Sequence, residues 1–289
     1  MSTTKLGLIA GGGALPHEIV AACRLADRPL FVVRLRGFAD PGLGGEDGAD
    51  LGLAELGKTL KALRAAGCGA ICFAGLVSRP DFNALRPDLR GMAALPGAIA
   101  AATKGDDGLL RFLAGEFERE GFVVEGADQV VAGLTLAAGP IGRYAPGLQH
   151  QLDIERAMGA ARALGALDIG QAAVAARGLV LAVEAQEGTD ALLRRCAELP
   201  AALRGTAEAP EGVLAKAPKP MQDRRIDLPT IGVATLAAVA RAGLAGVVGE
   251  AGALLVVDRA AVIQAADDLG LFVFGLSPTE RPIDPAPTP

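Results

Sequence analysis

The amino-acid sequence predicts an α/β protein: an N-terminal Rossmann-like domain built on a parallel sheet, then a second α/β domain, with a substrate cleft between them. Three observations carry this expectation. Short apolar runs alternate with segments whose apolar residues recur at helical spacing. A triple-glycine turn joins the first run to the first helical segment. The 289 residues exceed what a single core usually holds. Half of the residues are hydrophobic and only 3% aromatic, so the cores are to be built from Ala, Val, Leu and Ile, which suits helices packed closely on sheets.

Residues 5–10 (KLGLIA) read as a strand running into Gly11, Gly12 and Gly13, and residues 15–26 as a helix. Residues 29–33 read as the second strand, 37–50 as a loop rich in Gly and Asp, 54–66 as a helix and 70–74 (AICFA) as the third strand. After the proline-rich SRPDFNALRPDLRG come an alanine-rich helix up to Thr103, a helix over 107–120 and a strand over 122–125. The Gly- and Pro-dense stretch 138–149 (AGPIGRYAPGLQ) reads as a linker between domains over 1–137 and 150–276. The second domain is expected to hold a helix over 151–164, strands over 172–176 and 179–184, a helix over 189–199 and a strand over 212–215. Beyond the charged stretch KAPKPMQDRRIDLPTIG (216–232) follow a helix, strands near Val247 and Leu254, a helix over 260–269 and a last strand over 271–274. The tail 277–289, rich in proline and polar residues, is expected to be disordered.

The net charge of −5, with acids and bases spread along the whole chain, makes no basic stripe, so nucleic acid is not expected as a partner. Cys23, Cys68, Cys72 and Cys196 lie in apolar surroundings without a C-x-x-C pair and read as reduced core thiols of a cytoplasmic protein. His17 and His150 are too few for a histidine-rich zinc site. No signal peptide or membrane-spanning run is apparent.

Several stretches have the chemistry of a phosphate site. In GLIAGGGALP, Gly11, Gly12 and Gly13 with Ala14 and Leu15 would turn backbone N–H groups and a helix N-terminus toward an anion; a tight turn without a ligand is the alternative. A dinucleotide fingerprint is broken, because Pro16 stands at the third glycine and Arg34 and Arg36, rather than an acid, follow the second strand. In FAGLVSRPD, Gly75, Leu76, Ser78, Arg79 and Asp81 leave a strand on the edge where such sheets bind ligands. Thr103, Lys104, Gly105, Asp106 and Asp107 stand at a helix start, where an aspartate suits a cap and Lys104 could reach a diphosphate.

In the second half, Gly170 and Gln171 stand in DIGQAAV, and Glu184, Glu187, Gly188, Thr189 and Asp190 in LAVEAQEGTDALLRR. Thr189 reads as an N-cap, while the two glutamates, with phosphate oxygens, offer the hard ligands Mg²⁺ prefers. Lys216, Lys219, Arg224 and Arg225 of the charged stretch could neutralise a diphosphate. Asp227, beside Leu228 and Pro229, is placed as a partly buried carboxylate that orients water or a metal, whereas Asp223 looks more exposed.

The ordered set GLIAGGGALP, FAGLVSRPDF, ATKGDDGLLR, LDIGQAAV, LAVEAQEGTDA, VLAKAPKPMQDRRIDLPTIG and AGLAGVVGEAG, over about residues 5–275, resembles the LpxI-type UDP-2,3-diacylglucosamine pyrophosphatases of lipid A biosynthesis. The resemblance implies a cytoplasmic, Mg²⁺-dependent hydrolase of Gram-negative bacteria that splits UDP-2,3-diacylglucosamine into UMP and 2,3-diacylglucosamine 1-phosphate (lipid X). It places the essential aspartate in an R-x-D-x-P-T element, here Arg225 to Thr230, and so at Asp227; Asp227 and Glu187 become the expected metal ligands. Thr230 and the residues of the stretches above become the expected substrate contacts. Peripheral contact with the inner membrane would follow from the insolubility of the substrate, and a homodimer is compatible with the sequence. A nicotinamide oxidoreductase, a non-catalytic nucleotide-sugar or lipid binder, and a transferase with an acceptor other than water are the competing readings.

Overall fold

The computed structural model describes residues 4–78, 81–82, 84–103 and 105–277, the side chain of Asp106 excepted. The expected tail beyond Ser277 lies outside them. The chain forms two units, one running to Ala132 and taking in Asp223–Asp227, the other comprising Gly133–Gln222 and the chain from Leu228 onward. A short piece of the charged stretch therefore belongs to the first unit, although it lies deep in the second half of the sequence.

The first unit runs β1 (Leu6–Ala10), α1 (Leu15–Leu25), β2 (Leu30–Leu35), β3 (Gly48–Leu51), α2 (Leu56–Ala65), β4 (Ala70–Ala74), α3 (Leu89–Ala102), α4 (Asp106–Arg119), β5 (Val123–Val124) and α5 (Ala127–Val130). Its sheet has the order β3-β2-β1-β4-β5, parallel throughout. Connections leave β1 toward β2 on one side and reach β4 on the other, so the carboxyl ends of β1 and β4 flank the switch point where such sheets take ligands. Residues 37–50, expected as a loop, contain a 3-10 turn (Pro41–Gly45) and most of β3. This edge strand, GADL, has little strand propensity of its own. It is held by Arg34, whose Nε and Nη2 donate to both oxygens of Asp50 at 3.0 and 3.3 Å. Arg36 likewise meets Glu55 at 3.1 Å, so Arg34, inside β2, and Arg36, just after it, both have structural partners. The core of this unit gathers Ile9, Val33, Leu60, Leu63, Ile71 and Phe117, and Ile226 packs against it from the returning segment.

The second unit runs β6 (Gly139–Pro140), α6 (Gln151–Ala166), β7 (Ala172–Ala176), β8 (Leu179–Val183), α7 (Gly188–Glu198), β9 (Val213–Lys216), β10 (Thr230–Ile231), α8 (Val233–Arg241), β11 (Gly246–Glu250), β12 (Leu255–Val256), α9 (Arg259–Leu269) and β13 (Phe272–Leu276). Six strands pair in the order β6-β13-β11-β9-β7-β8, with β9, β11 and β13 parallel and β6, β7 and β8 antiparallel to their neighbours. A separate parallel pair joins β10 and β12. The stretch 138–149, expected as a linker, thus holds an edge strand on β13 and a 3-10 turn at Leu148–His150.

Strand residues alternate between two cores with the two-residue period of a sheet covered on both faces. Val174, Leu214 and Val247 join Leu192, Leu236, Val239 and Val262 on one side, and Ala175, Ala215 and Val248 join Ala157, Met158 and Ala161 of α6 on the other. The alanines on β7 and α6 let helix and sheet approach closely, which is how a chain so poor in aromatics fills its interior. All four cysteines are buried thiols, and burial pushes Cys72 up to about 12, which leaves it unreactive. No helix among the described residues is long and apolar enough to cross a membrane.

At the switch point, Gly75 adopts φ +95°, and a Cβ there would lie 2.6 Å from the Gly12 carbonyl oxygen and 2.8 Å from the Gly11 carbonyl carbon. Both obstacles are backbone and cannot swing aside. Gly75→Ala should therefore cost roughly 2–3 kcal/mol, read as a lower urea midpoint; an unchanged midpoint would show that the strand ends separate freely.

Candidate active site

The glycine turn is bridged to the exit of β4. Gly11 N–H donates to Ala74 O at 2.8 Å, Gly12 N–H to Leu76 O at 2.9 Å, and Leu76 N–H returns to Gly12 O at 2.8 Å. This corrects the expectation that all three glycines present N–H groups to an anion, since two of those donors complete the strand pairing. The N–H groups of Gly13, Ala14 and Leu15 have no acceptor among the described residues, and Gly13 and Ala14 are exposed at the start of α1. Gly75, Leu76 and Ser78 are exposed beside them, and Arg79 lies outside the described residues.

Between α3 and α4, Thr103 ends the first helix, its Oγ1 donating to Ala100 O at 2.7 Å, and Gly105 is the N-cap of the second. Neither Asp106 nor Asp107, the two aspartates read as cap candidates, holds the N-cap position. The helix begins one residue earlier than the sequence suggested, which places Asp107 inside the first turn, buried and paired with Arg111 Nη2 at 3.0 Å. Lys104 and the Asp106 side chain lie outside the described residues.

The segment Asp223–Asp227 is a single tight turn in which the N–H groups of Ile226 and Asp227 both donate to Asp223 O at 3.0 Å. Arg225 fastens it. Its Nε and Nη2 donate to Asp223 Oδ1 and Oδ2 at 3.0 and 2.6 Å, and its Nη1 reaches Glu118 of α4 at 2.7 Å. The Arg225 guanidinium holds the Asp223 carboxyl below the usual carboxylate range. Asp223 is thus half-buried rather than exposed, and three of the five Arg225 donors are already engaged, against the expectation that Arg225 is open to phosphate. Arg224 is exposed, and Asp227 closes the turn half-buried.

In the second unit the expected residues collect on one edge. Because β7 runs against β8 and β9, its start lies beside their ends, with Ala172 opposite Lys216. Gly170 packs on the Glu184 backbone, where a Cβ would come within 2.2 Å of Glu184 O. The buried Glu184 carboxylate accepts from Gln171 N–H at 3.0 Å and from Thr189 Oγ1 at 2.8 Å. Thr189 therefore ties α7 to Glu184 and is not the N-cap; that position belongs to Glu187. Gly188 opens α7, and Asp190 is exposed in its first turn, where a negative charge suits the helix dipole. Lys216, buried at the end of β9, donates from Nζ to Thr230 O at 3.0 Å, and Lys219 Nζ meets Asp168 at 2.7 Å.

Glu187 accepts from Arg195 on one oxygen and from Ala185 N–H on the other, so a metal there would share the carboxylate with an arginine. No group of three His, Cys, Asp or Glu side chains suited to a metal occurs among the described residues. Mg²⁺ asks for less protein, needing one or two carboxylates beside phosphate oxygens and water, and Asp227 fits that smaller demand. Two polar atoms point to a ligand or ordered water on the second unit: Gln171 Oε1 and Gln222 Nε2 are buried without a hydrogen-bond partner among the described residues. Gln222, whose Oε1 holds Lys219 N–H at 3.0 Å, was passed over among its charged neighbours. Glu118 was missed too, and nothing near it in the sequence announces Arg225.

Comparison with known proteins accounts for nearly the whole chain. The family model for the LpxI N-terminal domain matches residues 5–134, and that for the LpxI C-terminal domain matches residues 137–274. The curated UDP-2,3-diacylglucosamine pyrophosphatase LpxI of Caulobacter vibrioides is 63% identical over 278 residues, which cover 96% of this chain and 99% of that protein. With both family domains matched in order and identity sustained almost end to end, the chain belongs to the LpxI family.

Proposed function

We propose that the chain hydrolyses the diphosphate of UDP-2,3-diacylglucosamine, releasing UMP and 2,3-diacylglucosamine 1-phosphate, the reaction of lipid A biosynthesis. The observation that carries this reading is the 63% identity, along almost the full length of both chains, to a curated pyrophosphatase acting on that compound. Water adds across the P–O–P bridge; its oxygen ends on one phosphorus, the bridging oxygen leaves with the other, and two phosphate monoesters result. The negative charge that develops has to be offset while the attacking water is held in line.

Asp227 is the residue assigned to that water or to its metal. It closes a turn whose other carboxylate, Asp223, is held by Arg225 in a structural role. Mg²⁺, held by Asp227 and phosphate oxygens, would supply charge neutralisation. Lys216 and Lys219 stand on the strand-end edge of the second unit, and the donors of Gly13, Ala14 and Leu15 on the first offer backbone N–H groups to an anion. Gln171 Oε1 and Gln222 Nε2 supply an acceptor and a donor of the kind that reads sugar hydroxyls or a base.

Asp227→Asn, which keeps shape and removes charge, should lower kcat for UMP release at least about a hundredfold while KM changes little. Release at the wild-type rate would refute the assignment of Asp227, and binding without any release by the wild-type protein would refute the hydrolase reading. EDTA should stop release and Mg²⁺ restore it; insensitivity to EDTA would remove the metal.

Asp223 makes a separate prediction. Because its pKa is depressed in the folded protein, its contribution to stability is complete above the ordinary carboxylate value of 3.8 and is lost as the pH falls through the lower folded value. The stability deficit of Arg225→Ala, measured by urea unfolding, should be constant above about pH 5 and shrink in more acid solution. A deficit that does not change with pH would mean the ion pair contributes nothing.

A further inference from the structure

Helix α3 departs from the other helices of the chain. From Gly91 to Ala102 (GMAALPGAIAAA) it carries no polar side chain, and a helix apolar on every side is ordinarily buried. Here only one side is. Gly91, Ala98 and Ala102 are buried, and Gly97 sits against Phe112 of α4, where a Cβ would come within 2.7 Å of the ring. Leu89, Met92, Pro96 and Ile99, at successive spacings of three and four residues, face outward, Leu89 86% and Met92 56% exposed.

The flanks of this face differ in charge from the rest of the molecule. A groove of about 540 Å³ between α2 and α3 is lined by Lys61, Arg64 and Arg90 against one carboxylate, Glu120, in a chain whose net charge is −5. Glu120 is shared by Arg64 and Arg90, Arg90 also meets the buried Glu116 at 3.1 Å, and Lys61 has no charged partner among the described residues. On the other flank a groove of about 470 Å³ is lined by Gly97, Ala100, Ala101, Gly108 and Phe112, with Arg111 the one charge among the described residues that line it.

We propose that this surface is where the protein rests on an anionic lipid bilayer, with α3 in the plane of the interface. Its outward apolar residues would enter the boundary between headgroups and acyl chains, and the cations of α2 would meet lipid phosphates. The cation surplus beside an apolar stripe favours an anionic membrane over a protein. Choosing a membrane also rests on the proposed function, whose diacylated substrate resides in one.

The test is co-sedimentation of the full chain, without substrate, with vesicles of phosphatidylcholine alone or of equal parts phosphatidylcholine and phosphatidylglycerol. The wild-type protein should sediment with the mixed vesicles. Met92→Glu combined with Ile99→Glu should lower that partitioning roughly tenfold or more, and Lys61→Ala combined with Arg64→Ala should weaken it on the mixed vesicles only. Leu167→Glu, at an exposed leucine of the second unit, should leave it unchanged. All variants should keep the wild-type circular dichroism and hydrolyse a soluble short-chain substrate at the wild-type rate. The proposal is overturned if the wild-type protein stays in the supernatant, if the glutamate pair sediments equally well, if that pair slows hydrolysis of the soluble substrate, which would assign the face to the substrate's own chains, or if it dissociates a wild-type dimer, which would assign the face to a second copy. Because the vesicle arm contains no substrate, failure of the hydrolase reading would leave its result readable.

Discussion

The guanidinium of Arg225 grips both oxygens of Asp223 and one of Glu118, and that grip makes a turn from the second half of the sequence part of the first unit. The contact with Glu118 alone is too exposed to contribute more than about 1 kcal/mol. The bidentate fork to Asp223 is better shielded, and Ile226, packed on the core of the first unit, adds apolar burial that neither charge could supply. Three modest interactions thus share the work of holding the turn that ends at Asp227.

The charged groups of the candidate site share a second property: they already have partners. Lys216 is turned to Thr230 O, Lys219 to Asp168, Arg225 to two carboxylates and Glu187 to Arg195. Under the proposed function, a diphosphate would exchange an existing partner for a phosphate at any of these cations, and the existing partners lower the cost of keeping them half-buried before a ligand binds. It also separates roles. A cation held by one carboxylate, such as Lys219, can be released to a phosphate, whereas Arg225 could leave only by loosening the turn that carries Asp227.

What could be read from the sequence follows from where each element draws its stability. β1, β4 and β7 are short apolar runs buried on both faces, so composition alone marks them. The pieces β3, β6 and β10 have two to four residues and exist because a neighbouring strand or Arg34 holds them, information the local sequence does not carry. The site divides in the same way. Asp227 stands out through its neighbours Leu228 and Pro229, while the ties of Arg225 to Glu118, 107 residues away, and of Thr189 to Glu184 depend on the fold. Glycine was the most ambiguous letter: Gly11 and Gly75 serve close backbone packing first, and only the donors from Gly13 onward are left for a ligand.

The central claim is that Asp223 and Arg225 act as one positioning device, and the rate of UMP release in Asp223→Ala, Arg225→Ala and the double variant tests it most directly. Partners in one device lose their function together, so the double variant should be no slower than the worse single variant. Losses that multiply would contradict the account, since they would mean that each side chain acts on the substrate independently.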